Sequence, residues 1–430
     1  MATGEAICLP GSKSMAARAL VIKRMLGSAT RLEGMPDCND TRELTAAMNR
    51  LAEWERARKH QGEEGSEAKE GEGGLPGDTE GVVEFDMGEG GTSLRFFLAV
   101  AASTPGLPAR IDCAEGLRRR PLKPLVDVLR RAGAEISYLG EEGKAPVMVR
   151  GKRLDGAGIE ETEEFRAAAK VSSQFVSALM MASLGWEHRV DGDKVEGVSR
   201  PYIEMTARMM ERLEQRPEVY RIEPDWSASS YFYEYELITG RKVRFEGDPD
   251  PAESLQGDAR IAGITAFVML EMPDGWRVVP GALNGVAIEL SMNETPDLVP
   301  ALAAGLCFSG TEFRLVDVGH LRVKETDRIA AVCGELAKAG FELGVGDVQL
   351  ENPRRESVYM EWKGTRNGNG EEPRAGRTYI YDSHNDHRMA MAMAMTAVAG
   401  GEVVIEGAEA VRKSFPGYYD EIRKLGIVEI

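Results

Sequence analysis

Six times along the chain a small polar or acidic residue opens an apolar helix, the helix stops near glycine, and a Val/Ile-rich strand often follows. The copies are Gly11–Leu26, Gly90–Ala102, Ser172–Ser183, Ser227–Thr239, Thr295–Phe308 and Asn385–Val398. The fourth is read as running through Gly240 into a strand at KVRFEG, Lys242–Gly247. Such repetition excludes a single doubly wound sheet and points to an α/β architecture assembled from small equivalent units. Ala19–Ile22, Ala301–Leu306 and Met389–Val398 lack a continuous charged face, which marks helices buried inside a domain. Buried helices can aim their positive N-terminal ends at a common point, an arrangement suited to phosphate or carboxylate.

A chain of 430 residues exceeds what one core usually serves, so two domains are expected. The net charge of -17 argues against nucleic acid or an anionic membrane as a partner. Any anionic substrate must then be held by a local basic pocket. Five scattered cysteines with no Cys-x-x-Cys pair fit a reducing cytosol and offer no metal site. No apolar run approaches the ~18–20 residues of a membrane span, so a soluble, cytoplasmic protein is expected; small-molecule substrates and a monomer are expected as well. Two stretches rich in Gly and Glu, 53–81 and 364–376, are read as flexible surface insertions.

The stretch His320–Ile329, HLRVKETDRI, packs Lys324, Glu325, Asp327 and Arg328 into five residues. In an extended segment turning into a helix, two cations can reach an anion while Glu325 stays beside the reacting atoms. On its own the pattern is more often a solvated helix start. The other cationic clusters at equivalent places in the repeats tip the balance.

Those clusters carry a resemblance. GSKS at Gly11–Ser14 with Arg18, GGTSLR at Gly90–Arg95, RRP at Arg119–Pro121, SSQ at Ser172–Gln174 and SRPY at Ser199–Tyr202 come in order. They are followed by Pro296-Asp297, RVKETDR at Arg322–Arg328, NDHRMA at Asn385–Ala390 and KSFPGYY at Lys413–Tyr419. Together they resemble the enolpyruvyl transferases, in particular the shikimate branch. The resemblance implies two globular domains of three βαβαββ units each around buried helices. One domain would be residues 11–223, the other 1–10 with 224–430. It implies no cofactor. The expected reaction moves the 1-carboxyvinyl group of phosphoenolpyruvate to the 5-hydroxyl of shikimate 3-phosphate through a tetrahedral intermediate.

The resemblance places Lys13, Ser14, Arg18, Ser172, Ser173, Gln174, Ser199, Asp297 and Lys324 around shikimate 3-phosphate. Around phosphoenolpyruvate it places Lys13, Gly91, Arg120, Gln174, Arg328, Arg388 and Lys413. Gly91 has no Cβ, so a backbone N–H can approach a phosphoryl oxygen closely; the resemblance further implies that an unsubstituted glycine there leaves room for glyphosate. The arginines can grip carboxylate or phosphate bidentately while the lysines act as point charges. Asp297 is the candidate for taking the hydroxyl proton and Glu325 for serving the methylene carbon, with Lys13 and Lys413 neutralising the departing phosphate. His387 can equally be a packed residue at a helix start.

Departures from the commonest family pattern are Glu89, Met15-Ala16-Ala17, Arg200 and His320. A carboxylate at Glu89 repels phosphoenolpyruvate unless it turns away. Two alternatives stay open: the UDP-N-acetylglucosamine branch, which mostly carries a reactive Cys where this chain has Glu115, and a non-catalytic anion-binding relative.

Overall fold

The computed structural model describes residues 5–63, 81–192, 199–272, 275–278, 288–351, 354–364 and 377–427. Two complete copies of one topology stand out among them. In the first, strand Val83–Asp86 pairs in parallel with Pro108–Asp112. Strand Val147–Arg150 then lies antiparallel between Pro108–Asp112 and Glu135–Tyr138. The parallel step needs a crossover, and helix Gly91–Ala102 supplies it. The second copy repeats this order with Ile288–Ser291, Phe313–Val316, Gly344–Glu351 and Arg354–Trp362, crossed over by helix Val299–Phe308. Parallel pairs also join Arg31–Glu33 to Val219–Arg221 and Thr378–Asp382 to Glu402–Glu406, each in a two-stranded sheet.

The core divides in two. One cluster runs from Met15 to Ile222 and takes in Leu255; the other joins Ile7 to residues between Trp226 and Ile427. In the first lobe the helices Lys13–Met25, Gly91–Ala102 and Ser173–Ala182 pack on one another. In the second the trio is Trp226–Thr239, Val299–Phe308 and His387–Met395. The runs read as buried, at Ala19–Ile22, Ala301–Leu306 and Met389–Val398, fall in these trios or run just past them, and Met389–Met395 is core from end to end. Burying each large aliphatic side chain contributes about 1.5–3 kcal/mol, so the two cores dominate the fold's stability.

The chain crosses between the lobes near Gly11, which bridges to Pro224. Its beginning belongs to the far lobe: Ile7 is fully buried and bridges to Phe245, and the Cys8 N–H donates to Glu421 at 2.8 Å.

Three expectations need correction. The stretch 53–81 is not all insertion, because helix Asn39–Glu63 continues through its first eleven positions. Trp54 packs on the core there, and Arg58 stacks over Trp54 and donates to the Pro105 carbonyl at 3.0 Å. Residues 64–80, and 365–376 of the second stretch, lie outside the described residues. Lys242–Gly247 forms no strand beyond the Phe245 bridge. The buried Glu236 carboxylate instead captures the Val243 N–H at 2.8 Å and Lys242 Nζ at 2.7 Å. The HLRVKETDRI stretch starts as a 3-10 turn, Gly319–Val323, with extended backbone at Lys324 and again at Asp327, which caps the helix Arg328–Lys338.

Candidate functional site

The N-terminal ends of the inner helices open on one cleft between the lobes. Ser12, Ser172, Asp225 and Asp386 cap four of these helices by accepting from backbone N–H groups two or three residues on. Gly90, with no side-chain cap, precedes a fifth. The first lobe contributes Lys13, Ser14, Arg18, Arg95, Arg120 and Gln174 to the walls, with Ser172, Ser173 and Ser199 beside them. The second contributes Asp297, Lys324, Glu325, Arg328, His387 and Arg388. The free volume between these walls is about 80 Å3, and the cleft opens to solvent at its mouth.

Cations outnumber acids around this space, and the acids are shared. Arg328, 1% exposed, donates through Nε to Asp386 at 2.7 Å, through Nη1 to Asp297 at 2.8 Å and through Nη2 to Glu325 at 2.7 Å. Arg388 grips the other Asp297 oxygen at 2.6 Å. Arg120 reaches across from the first lobe to Glu325 at 3.5 Å, and Lys413 stands 3.9 Å from the same oxygen. Lys13 pairs with the buried Asp40 at 2.9 Å. Lys324 has no ion pair among the described residues. Charge-assisted bonds of this kind fix geometry as well as contribute energy.

Protonation follows from the network. Burial acts to raise both Asp297 and Glu325, and the surrounding cations overcome it. Arg388, Lys324 and Arg328 hold Asp297 below the usual carboxylate range, and Arg328, Arg120 and Lys413 do the same for Glu325. Burial, aided by Arg328, lowers the Lys324 ammonium. Burial and then Lys324 push His320 down to about 4, so its imidazole is neutral at pH 7. Burial, Lys13 and Arg388 likewise keep His387 neutral, with neither ring nitrogen hydrogen-bonded.

The geometry, cations from two lobes closing on two ionised carboxylates, invites comparison with known proteins. The sequence profile of EPSP synthase (3-phosphoshikimate 1-carboxyvinyltransferase) matches residues 3–216 and 211–422. The chain belongs to the EPSP synthase family. A relative from Methanopyrus kandleri named 3-phosphoshikimate 1-carboxyvinyltransferase is 36% identical over 98% of this chain and 95% of its own length. One of the same name from Bordetella pertussis is 32% identical over 98% of this chain and 95% of its own. Among solved structures, EPSP synthase from Acinetobacter baumannii superposes with a TM-score of 0.59 at 20% identity, covering 98% of this chain and 95% of that one. The enolpyruvyl transferase NikO from Streptomyces tendae gives 0.58 at 14%, covering 99% and 95%. Both support the fold.

Within this member of the EPSP synthase family, nearly all the residues singled out from sequence line the one cleft. Two do not. Gly91 lies behind the wall, because Arg120 crosses it so closely that a Cβ at Gly91 would stand 2.5 Å from Nη1. Lys413 sits behind Glu325, 7% exposed. Arg18 lines the cleft, yet its guanidinium is largely engaged inside the first lobe by Thr206, Ser177 and the carbonyls of Ser14 and Tyr202. Glu89 turns outward, where Asn385 donates to it at 3.4 Å.

Sequence reasoning passed over Thr92 and Arg95, which hold Gln174 from either side through its amide nitrogen and oxygen. It also passed over Asp40, Tyr202 and Asp258. Tyr202 and Arg95 stood inside quoted motifs, SRPY and GGTSLR, but their roles needed the fold. Nothing in the turn around Asp258 marks it.

Proposed function

We propose that this chain transfers the enolpyruvyl group from phosphoenolpyruvate to the 5-hydroxyl of shikimate 3-phosphate, with the cleft residues in the following roles. Lys13, Ser14, Arg18, Ser172, Ser173, Gln174, Ser199, Asp297 and Lys324 hold shikimate 3-phosphate. Lys13, Arg120, Gln174, Arg328, Arg388 and Lys413 hold phosphoenolpyruvate, with Gly91 leaving Arg120 its place. The single observation that carries this reading is the convergence of Arg120 from one lobe and Arg328, Arg388 and Lys413 from the other on Asp297 and Glu325.

In addition, the 5-hydroxyl oxygen bonds to C2 of phosphoenolpyruvate, its proton passes to Asp297, and the methylene carbon takes a proton to become methyl. In elimination the methyl returns a proton and the C2–O bond to phosphate breaks, leaving the enol ether and phosphate. Asp297 is held in the ionised form by three cations, and it binds a proton more tightly as the anionic groups of the substrates draw those cations away. Glu325 is ionised by Arg328, Arg120 and Lys413. When the anionic groups of phosphoenolpyruvate draw those cations away, Glu325 binds a proton more tightly and becomes able to serve the methylene carbon. Lys13 and Lys413 neutralise the departing phosphate.

We take residues 11–223 as one rigid unit and 1–10 with 224–430 as the other, closing on the substrates as a monomer in the cytoplasm. Free cysteines and the absence of any helix long and apolar enough to span a membrane among the described residues support that setting. The deciding assay mixes purified protein with both substrates and follows phosphate. Release only when both are present is expected. Release with UDP-N-acetylglucosamine in place of shikimate 3-phosphate, or none at all, overturns the assignment.

A further inference from the structure

The two carboxylates Asp258 and Asp297 face a single tyrosine hydroxyl. Asp258 sits in the short turn Gly257–Ala259, 2% exposed. From the first lobe, Tyr202 on helix Arg200–Glu214 presents its hydroxyl 3.1 Å from Asp258 Oδ2 and 3.4 Å from Asp297 Oδ2. The Ser227 hydroxyl, on helix Trp226–Thr239, donates to the same Asp258 oxygen, and Asp258 Oδ1 is buried with no hydrogen-bond partner. Across the turn the remaining charged neighbours are Arg388 and Asp225. A phenol has one proton to give, so it can serve only one of the two acids at a time.

We propose that Asp258 is a positioning residue for proton transfer at Asp297, acting through the single hydroxyl proton of Tyr202. An ionised Asp258 takes that proton's hydrogen bond and leaves Asp297, still bonded to Arg328 and Arg388, unengaged by the tyrosine and open to the substrate's hydroxyl proton. A neutral Asp258 donates to the tyrosine oxygen, the hydroxyl turns to Asp297, and the acceptor is engaged. Burial and then the Asp297 charge raise Asp258 to about 6, which sets this exchange just below neutral pH.

The inference rests on the proposed reaction, so its test has one arm that needs no turnover. In the free protein, 13C NMR of labelled aspartate carboxyls should show one group titrating near pH 6, absent from Asp258→Asn and displaced in Tyr202→Phe. In the kinetic arm, kcat of the parent should fall below the same pH. Asp258→Asn mimics the neutral state: kcat at about pH 8 drops about tenfold, the acidic fall disappears, and KM for shikimate 3-phosphate moves less than about threefold. Tyr202→Phe should also abolish the fall, and adding Asp258→Asn to it should cost nothing more, since both act on one contact. An unchanged acidic fall in either variant, additive losses in the pair, or no carboxyl titrating near pH 6 overturns the proposal. If Asp258→Asn does not fold, Tyr202→Phe alone decides. A parent that releases no phosphate refutes the assigned reaction, and the NMR arm still judges the Asp258 link.

Discussion

Gly91→Ala separates binding from folding. The new methyl carbon would stand 2.5 Å from Arg120 Nη1 and 3.1 Å from its Cζ. Ordinary contact is about 3.5 Å, so the guanidinium must withdraw by about an ångström. Among the described residues Arg120 has Glu325, at 3.5 Å, as its ionic partner. A hydrogen bond to a charged group contributes about 1.5–3 kcal/mol, so misaligning Arg120 should raise KM for phosphoenolpyruvate by about 10- to 150-fold. Stability should not suffer. Gly91 opens a helix with ordinary backbone angles, where alanine gains up to about 1 kcal/mol over glycine. Phosphate release against phosphoenolpyruvate concentration, at saturating shikimate 3-phosphate, measures the first quantity, and a thermal melt the second. A KM within about threefold of the parent, or a melting point lowered by several degrees, refutes the argument that Arg120 and not the fold requires this glycine.

Arg328→Met leaves the wholly buried Asp386 without its cation and takes one partner each from Asp297 and Glu325, and should cost about 3–5 kcal/mol in urea unfolding, whereas Arg120→Met should cost far less. Equal midpoints for the two variants would contradict the network. Burial, then Asp40, Asp86 and Glu89, raise the Glu43 acid from 4.5 to about 7 against the relief of Lys413. A raised acid favours the folded state below its unfolded value and loses that advantage as pH climbs from about 4.5 to 7. Glu43→Gln should therefore raise the melting point more at about pH 8 than at pH 5, and an equal rise at both would count against it. Cys113 is buried and its thiol is pushed up to about 12 by burial and Asp112, so iodoacetamide should label exposed Cys8 and spare activity. Inactivation that tracks Cys113 labelling would point to a reactive-cysteine branch instead.

Much of the fold was legible because its inner helices are apolar on every face. Val299–Phe308 and His387–Met395 announce burial without reference to anything else. Their polar openings then locate the cleft. What escaped depends on contacts between distant segments. The residues after Glu53 carry glutamate and glycine enough to look unfolded, but Ala, Arg, Lys and Gln among them are good helix formers, and Trp54 anchors the helix. Asp258 lies in a turn with no periodicity, and only the folded chain brings it to Tyr202.

Because the opening segment around Ile7 is held by Phe245 and by Glu421 near the other end of the sequence, synthesis order and lobe order differ. A ribosome delivers the first lobe whole while those opening residues wait first for Phe245 and then for Glu421 to emerge. Joining the two termini and reopening the chain near Pro10 would hand each lobe to the ribosome as one uninterrupted piece.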